Sequence, residues 1–227
     1  WNFDINAFID DNSCINSCID YDGNKYNTVN IGGQTWMAEN LKTTHYNNGD
    51  PIPTGFKDNW VYLSDYPTAT GAYAVFPFDD DDVSQMTCES ECSEVYGNLY
   101  NWYAVDDERG ICPEGFHVPM DEEWSELTDF LNESAGSQLA GNADLWDSAE
   151  LVNNSAFGSS GFDALPGGSR DASGFYWGLG YSCEFWSSSD YYGLKAWYRW
   201  LSGSSSDVLR SKESMVSGFS VRCVMNN

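Results

Sequence analysis

The chain has 227 residues, 35 acidic against 10 basic, for a net charge of −25. So negative a balance repels phosphate backbones and anionic bilayers, which sets aside nucleic acid and membrane surfaces as partners. The length suits one large domain or two small ones, with a core that needs no metal, and no apolar run approaches the span of a bilayer. Aromatics make up 16% of the residues, with 10 Trp and 14 Tyr; they serve both cores and binding surfaces, because each has a flat body and one polar tip.

Residues 1–17 stand apart. Trp1, Phe3 and Ile5 alternate with polar neighbours, the period of a half-buried strand. They read either as a linker or as a strand that joins a neighbouring domain or subunit. The chain opens on Trp1 rather than Met, read as an exported chain whose signal has been removed. Residues 19–42 read as a hairpin system. Asp22-Gly23 marks one turn and Gly32-Gly33 another, with strands over 26–31 and 34–37. Asp20, Asp22 and Asn24 have calcium-loop spacing, but Gly23 comes too early and no Glu closes the loop, so the hairpin reading is preferred.

Residues 45–95 are loop-rich and include the run Asp79, Asp80, Asp81 and Asp82. Such a run is solvated or holds a cation; the solvated reading is preferred, and calcium is the ion it would take. A dense aromatic block follows at 96–103. A helix then opens at Pro119 or Asp121, with acids in its first turn. Trp124, Leu127, Phe130 and Leu131 recur at helical spacing, and Trp124, Leu127 and Leu131 share the face assigned to the core. From residue 155 the pattern turns to short strands between Gly- and Ser-rich loops. A turn is expected at 165–168, and strands around 185–186, 196–201, 208–209 and 219–224.

The seven cysteines are Cys14, Cys18, Cys88, Cys92, Cys112, Cys183 and Cys223. Their short spacings are C-x3-C, and His45 and His117 lie near neither pair, so zinc is not indicated. A disulfide framework made in an oxidising compartment fits better, with one thiol left over. No catalytic motif holds together. His117 reads as a structural hydrogen-bonder, and His45 has no motif around it. Paired carboxylates for glycoside hydrolysis have no spacing that selects them. An enzyme would need acids or a cysteine to converge in a pocket with shifted pKa values. The chain is therefore read as non-enzymatic, with no cofactor required.

Seven segments carry a resemblance in their order along the chain: DYDGNKYNTVNIGGQTWMAENL (20–41), YGNLYNWYAV (96–105), ICPEGFHVPMDEEWSEL (111–127), GFDALPGGSR (161–170), FWSSS (185–189), AWYRWL (196–201) and GFSVRCV (218–224). Together they resemble the landmarks of the Fibrobacter succinogenes major paralogous domain family, over about residues 18–227. The resemblance implies an exported protein of Bacteroidetes-type or Fibrobacter-type bacteria. It also implies an α+β domain with the C-type-lectin-like fold of the formylglycine-generating enzyme group. That enzyme's activity does not follow, because its copper-binding cysteine pair has no counterpart that maps here. In such domains a bridge ties the first helix region to the last strand, which implies a Cys112–Cys223 disulfide. Asp147-Ser148-Ala149 resembles a short O-glycosylation signal of exported Bacteroidetes proteins.

Residues 187–217 are also similar to the mutable ligand-binding stretch of the variable proteins of diversity-generating retroelements. Carried over, the candidate face is Tyr191, Tyr192, Lys195, Trp197, Trp200, Ser202, Ser204, Ser205, Asp207, Arg210, Lys212 and Glu213. Tyr and Trp would stack on sugars or fill a partner's pockets, while Ser and Asp would bond to hydroxyls. Trp197 and Trp200 are three apart on a strand and so fall on opposite faces, with one of them expected to be buried. Two readings follow for a secreted or cell-surface domain spanning residues 18–227. One is a module that binds a glycan or surface protein on this face. The other is a subunit of an extracellular filament or layer, a homopolymer joined through residues 1–11 by strand exchange.

Overall fold

The computed structural model describes residues 17–54, 70–76 and 92–226. Trp1, Phe3 and Ile5, the Asp79–Asp82 run, Cys14 and Cys88 lie outside the described residues.

Tight turns build the first sheet. β1 (Ser17–Ile19) passes through Asp22-Gly23 into β2 (Lys25–Ile31), and β2 passes through Gly32-Gly33 into β3 (Gln34–Met37). Gly23, Gly32 and Gly33 have φ of 84°, 62° and 88°, a region that glycine enters without Cβ strain. The pairing runs from Thr28↔Met37 to Ile31↔Gln34. Asp20 is spent inside the β1–β2 hairpin, where it accepts bonds from the Asn24 backbone N–H and the Tyr26 hydroxyl.

Short helices follow. α1 (Cys92–Tyr96) leads to β5 (Leu99–Tyr100), which pairs with β4 (Tyr73–Ala74). α2 (Trp102–Val105) is capped by Asn101, whose side chain accepts from the Ala104 N–H at 3.1 Å. After β6 (Phe116–His117) comes α3 (Asp121–Leu131), the longest helix among the described residues. Its first turn holds Asp121, Glu122 and Glu123, which complement the helix dipole. Glu123 also accepts from the Met120 N–H and from His117 Nε2. The core face is made by Trp124 and Leu127, with Leu131 half-buried. Phe130, which is not part of the face assigned to the core, is 64% exposed and lies over the β2–β3 turn, so close that a Cβ on Gly32 would fall 2.8 Å from its ring.

Beyond α4 (Ala135–Leu139) and α5 (Ala149–Val152), the second sheet forms from β7 (Gly167–Arg170), β8 (Tyr176–Leu179), β9 (Ser182–Tyr191), β10 (Lys195–Ser202) and β11 (Val208–Ser214). Its order is β11-β10-β9-β7-β8, so β11 and β8 are the edges. The turn expected at 165–168 is only half correct, because Gly167 and Gly168 already belong to β7 and Gly168 pairs with Cys183.

The strand expected over 219–224 is interrupted for a structural reason. Phe219 bridges to Tyr100 of β5 and Ser220 to Phe185 of the second sheet. Val221 and Cys223 then accept bonds from the Leu41 and Met37 N–H groups. Only β12 (Val224–Met225) is regular, and it completes the first sheet in the order β1-β2-β3-β12-β6. This segment therefore stitches the two sheets together. Arg222, fully buried in it, donates to Asn40 Oδ1 and to the Met37, Phe162 and Asp163 carbonyls. Cys223 is bridged to Cys112 across 111 residues, with Cα atoms 5.9 Å apart. Cys92 is also disulfide-bonded, whereas Cys18 and Cys183 are free and buried.

The core on the α3 side is aromatic. Trp36 and Trp124 lie 4.8 Å apart, and Phe162 and Phe185 meet edge to face at 5.9 Å. Such pairs add about 0.5–1.5 kcal/mol each beyond area burial.

Candidate functional site

Strand alternation sorts the candidate residues before any contact is considered. On β10, Lys195, Trp197, Arg199 and Leu201 point to one face, and Ala196, Tyr198, Trp200 and Ser202 to the other. The β10–β11 register pairs Trp197 with Lys212, Arg199 with Arg210 and Trp200 with Leu209. Trp197, Arg210 and Lys212 therefore share the face that looks toward α3.

A bulge sets their height. The β9–β10 pairing jumps from Ala196↔Asp190 to Tyr198↔Trp186, so residues 187–189 of β9 have no β10 partner. These residues bind the start of α3 instead. Ser188 N–H donates to the Pro119 carbonyl at 2.9 Å, and Ser189 Oγ accepts from Asp121 N–H at 3.0 Å. The extra residues bend the strand and bring α3 under β10.

Asp121 is the consequence. It is buried, and it accepts from Arg199 Nη1 at 2.6 Å, Arg210 Nε at 3.0 Å and Arg210 Nη2 at 2.6 Å. Burial alone would raise its pKa, but the bonds from Arg210 and Arg199 outweigh it and hold the carboxyl below its usual range. Burial lowers the pKa of Arg199, opposed by Asp121, whereas the bond to Asp121 raises that of half-exposed Arg210.

Held this way, the Arg210 guanidinium lies 3.5 Å from the Trp197 ring centroid. Trp197 meets Tyr191 edge-on at 5.1 Å, and Tyr191 meets Tyr192 at 4.5 Å. Lys212 Nζ sits 4.0 Å from the Tyr191 centroid and 5.7 Å from that of Trp197, both within cation–π range. Tyr192 is 84% exposed at the hairpin turn, at a φ of 55°. The result is a raised rim of alternating aromatic and cationic groups, anchored below by a buried ion pair. Arg210 takes one face of Trp197 and Lys212 sits over Tyr191, so the exposed Tyr192 offers the freest ring.

The other candidates lie elsewhere. Lys195 flanks the rim, and Glu213, which pairs with Ala196 on the opposite face, comes no closer to Lys195 than 3.9 Å. Trp200 faces the opposite side, opposite Glu184. Trp197 and Trp200 do fall on opposite faces, but both are half-buried; neither is the fully buried member that was expected. Ser202 is buried and within 3.0 Å of the Ser204 hydroxyl. Ser205 and Asp207 lie in the β10–β11 loop, which docks on α4 through the Ser206 carbonyl and Ser137 N–H. At about 3.4 Å per residue, Ser202 is roughly 17 Å along the strand from Trp197, so this loop is not part of the rim.

Asp121 and Arg199 were not on the candidate face. The available signal was an arginine inside an otherwise apolar strand, AWYRWL, which demands a buried partner. Phe175 and Trp177 are also exposed, on and beside edge strand β8, with Trp177 Nε1 donating to Asp171.

Both histidines are engaged. His117 bonds to Glu123 and Asn226, as a structural hydrogen-bonder would, and His45 bonds to Asp22 and Thr44. No group of three or more His, Cys, Asp or Glu side chains among the described residues is placed to hold a metal ion. No helix among them is long and apolar enough to cross a membrane.

The family whose model matches this chain is the Fibrobacter succinogenes major domain, over residues 29–225. No curated protein and no solved structure matches the chain.

Proposed function

The chain belongs to the Fibrobacter succinogenes major domain family, and from that premise we propose that it is a non-enzymatic, secreted or cell-surface module that holds a glycan or protein ligand on the Tyr191–Trp197–Lys212 rim. Its fold, on this reading, is C-type-lectin-like, with the Cys112–Cys223 bridge tying the region before α3 to the residue that leads into β12. The observation that carries the proposal is the rim itself. Tyr191, Trp197, Arg210 and Lys212 are stacked in one connected series and tied to buried Asp121. Preordered aromatic rings lose little entropy on binding, and flanking cations add directional polar contacts.

Screening the protein against arrays of glycans and surface proteins tests this reading. A captured ligand should bind at least about tenfold more weakly to Tyr191→Ala and to Trp197→Ala, the loss expected for a hot-spot aromatic. Unchanged binding by both variants would refute the rim as the site.

The second reading, a subunit joined to its neighbours by strand exchange, is favoured by topology. β1 is an edge strand of the first sheet and directly follows the N-terminal segment with its alternating Trp1, Phe3 and Ile5. Light scattering of the whole protein beside a form lacking residues 1–11 separates the two. Polymers that collapse on truncation support the subunit; monomers in both samples remove it.

A further inference from the structure

On the face of the second sheet opposite the rim, a carboxyl group is buried without a counter-ion among the described residues. Glu184 is 9% exposed, and β9–β10 pairing sets it directly across from Trp200, a separation of about 5 Å between Cβ atoms. One carboxyl oxygen accepts from Ser182 Oγ at 3.1 Å, and Ser169 of β7 also bonds to the group. The other oxygen is buried and has no partner among the described residues, and the same holds for the indole N–H of Trp200. Buried polar groups are almost always satisfied, and each exception calls for a reason.

The surroundings explain why the charge is disfavoured. From its own strand Glu184 faces Ser182 and Trp186, and the neighbouring Cys183 thiol is itself pushed up by burial. From β7 it faces Ser169. From β10 it faces Trp200 and Tyr198, whose hydroxyl is raised first by burial and further by Glu184 and Glu213. β11 adds Leu209, Ser211 and Glu213 to that face, with Glu213 near Lys195. Arg199, Arg210 and Lys212 alternate to the opposite face, and Arg170 points away from Ser169 toward Tyr176. Burial therefore pushes the Glu184 carboxyl up to about 7.

The cover over this group is thin. Trp200 is half-buried and Leu209 is 40% exposed, while β11 is an edge strand paired, among the described residues, with β10 alone. We propose that Glu184 is a proton-operated latch for the β10–β11 hairpin: as the neutral acid it lets Trp200 close over it, and as the carboxylate it draws in water and loosens the hairpin that carries the rim. The link to ligand capture rests on the reading of the rim given above; the latch itself does not.

Amide hydrogen exchange from about pH 5 to pH 8, corrected for intrinsic exchange rates, reads the latch without any ligand. A carboxyl raised in the closed state binds its proton more tightly there than in the open state. Closure is therefore strongest at low pH and weakens as pH rises from the ordinary carboxyl value to the raised one. Opening of β10 and β11 amides should increase by up to about tenfold per pH unit from pH 5 to pH 7 and then level off. Amides of β2, β3 and α3 should show no such rise. In Glu184→Gln the β10–β11 opening should be flat with pH. A flat profile in the parent protein, or the same slope in Glu184→Gln, overturns the proposal. Should Glu184→Gln not fold, the 13C-carboxyl titration of Glu184 in the parent decides: a midpoint near 7 supports the latch, and one in the ordinary glutamate range overturns it. Loss of the rim's binding function with the exchange slope intact would leave the latch standing and remove only its link to the ligand.

Discussion

Replacing Asp121 by Asn probes the ion pair that joins α3 to the second sheet. The substitution keeps the shape and removes the charge, leaving the Arg199 guanidinium, only 2% exposed, buried without a carboxylate. Breaking a buried pair in this way costs about 3–5 kcal/mol, because the remaining charge is uncompensated. The half-exposed Arg210 arm, open to solvent screening, adds at most about 1 kcal/mol. For a domain of this size, about 2–4 °C of Tm is lost per kcal/mol, so a total of about 3–6 kcal/mol should make Asp121→Asn melt about 6–24 °C lower at pH 7. Urea denaturation of parent and variant at several pH values gives the second half of the test. The carboxyl is held below its ordinary value of 3.8, so its contribution is present above that value and is lost as pH falls through the lower folded one. The gap between parent and variant should therefore be full at neutral pH and shrink in strong acid. A gap below about 1 kcal/mol at pH 7, or one that persists unchanged to the lowest pH at which the parent folds, would refute the argument that Asp121 is an ionised anchor.

Three further outcomes follow from the same geometry. Replacing Cys112 and Cys223 together by Ala should lower stability by about 4–5 kcal/mol, the chain-entropy estimate for a loop of this length, read by urea midpoints without reductant. His117 is raised, chiefly by its bond to Glu123; its stabilisation is full below the ordinary histidine value and fades as pH rises through the folded one. His117→Gln should remove that pH dependence and about 0.2–1 kcal/mol at low pH, measured by melting at pH 5.5 and pH 8. Gly32→Ala should destabilise more than Gly23→Ala. Both positions have positive φ, but only at Gly32 would the new Cβ meet a neighbour, the Phe130 ring. Equal melting temperatures for the two variants would show that the Phe130 contact adds nothing beyond backbone strain, which is itself about 1–3 kcal/mol.

What was legible in the sequence was whatever local chemistry decides. Asp22-Gly23 and Gly32-Gly33 announce turns because few other residues tolerate positive φ, and the observed hairpins follow them. The acids before Trp124 announce a helix start for a dipole reason, and α3 begins at Asp121. Long-range geometry was not legible in the same way. Residues 218–224 have the composition of one continuous strand, yet the chain uses them to cross from one sheet to the other, with Arg222 bonding to the Met37 carbonyl of the first sheet and the Asp163 carbonyl of the segment before β7. No local preference encodes that crossing, because the partners come from residues far away in the chain. Helical spacing sets Phe130 off the core face, and it lies outside the core; what that spacing does not show is that a glycine turn from another element offers it a seat there.

The candidate face shows the same limit more sharply. Strand alternation separates Trp197 from Trp200 correctly, yet burial depends on what covers each face, and the rim and the sheet beneath Trp200 are covered by quite different groups. A two-residue surplus in β9 decides the matter. Without it, Ser188 and Ser189 would pair with β10 instead of binding the start of α3, Asp121 would not reach Arg199, and Arg210 would have no anchor from which to lie flat on Trp197. The rim is thus a consequence of register. Residues that touch no ligand on this reading, Asp121 and Arg199 among them, determine its shape as strongly as Tyr191 or Trp197. That dependence gives the rim a testable signature distinct from that of a merely exposed patch. Asp121→Asn should weaken ligand capture even under conditions where the variant is fully folded, because Arg210 would lose the bonds that hold it against Trp197. Capture unaffected by that substitution in folded protein would mean that the exposed tyrosines act alone and that the ion pair serves the fold only.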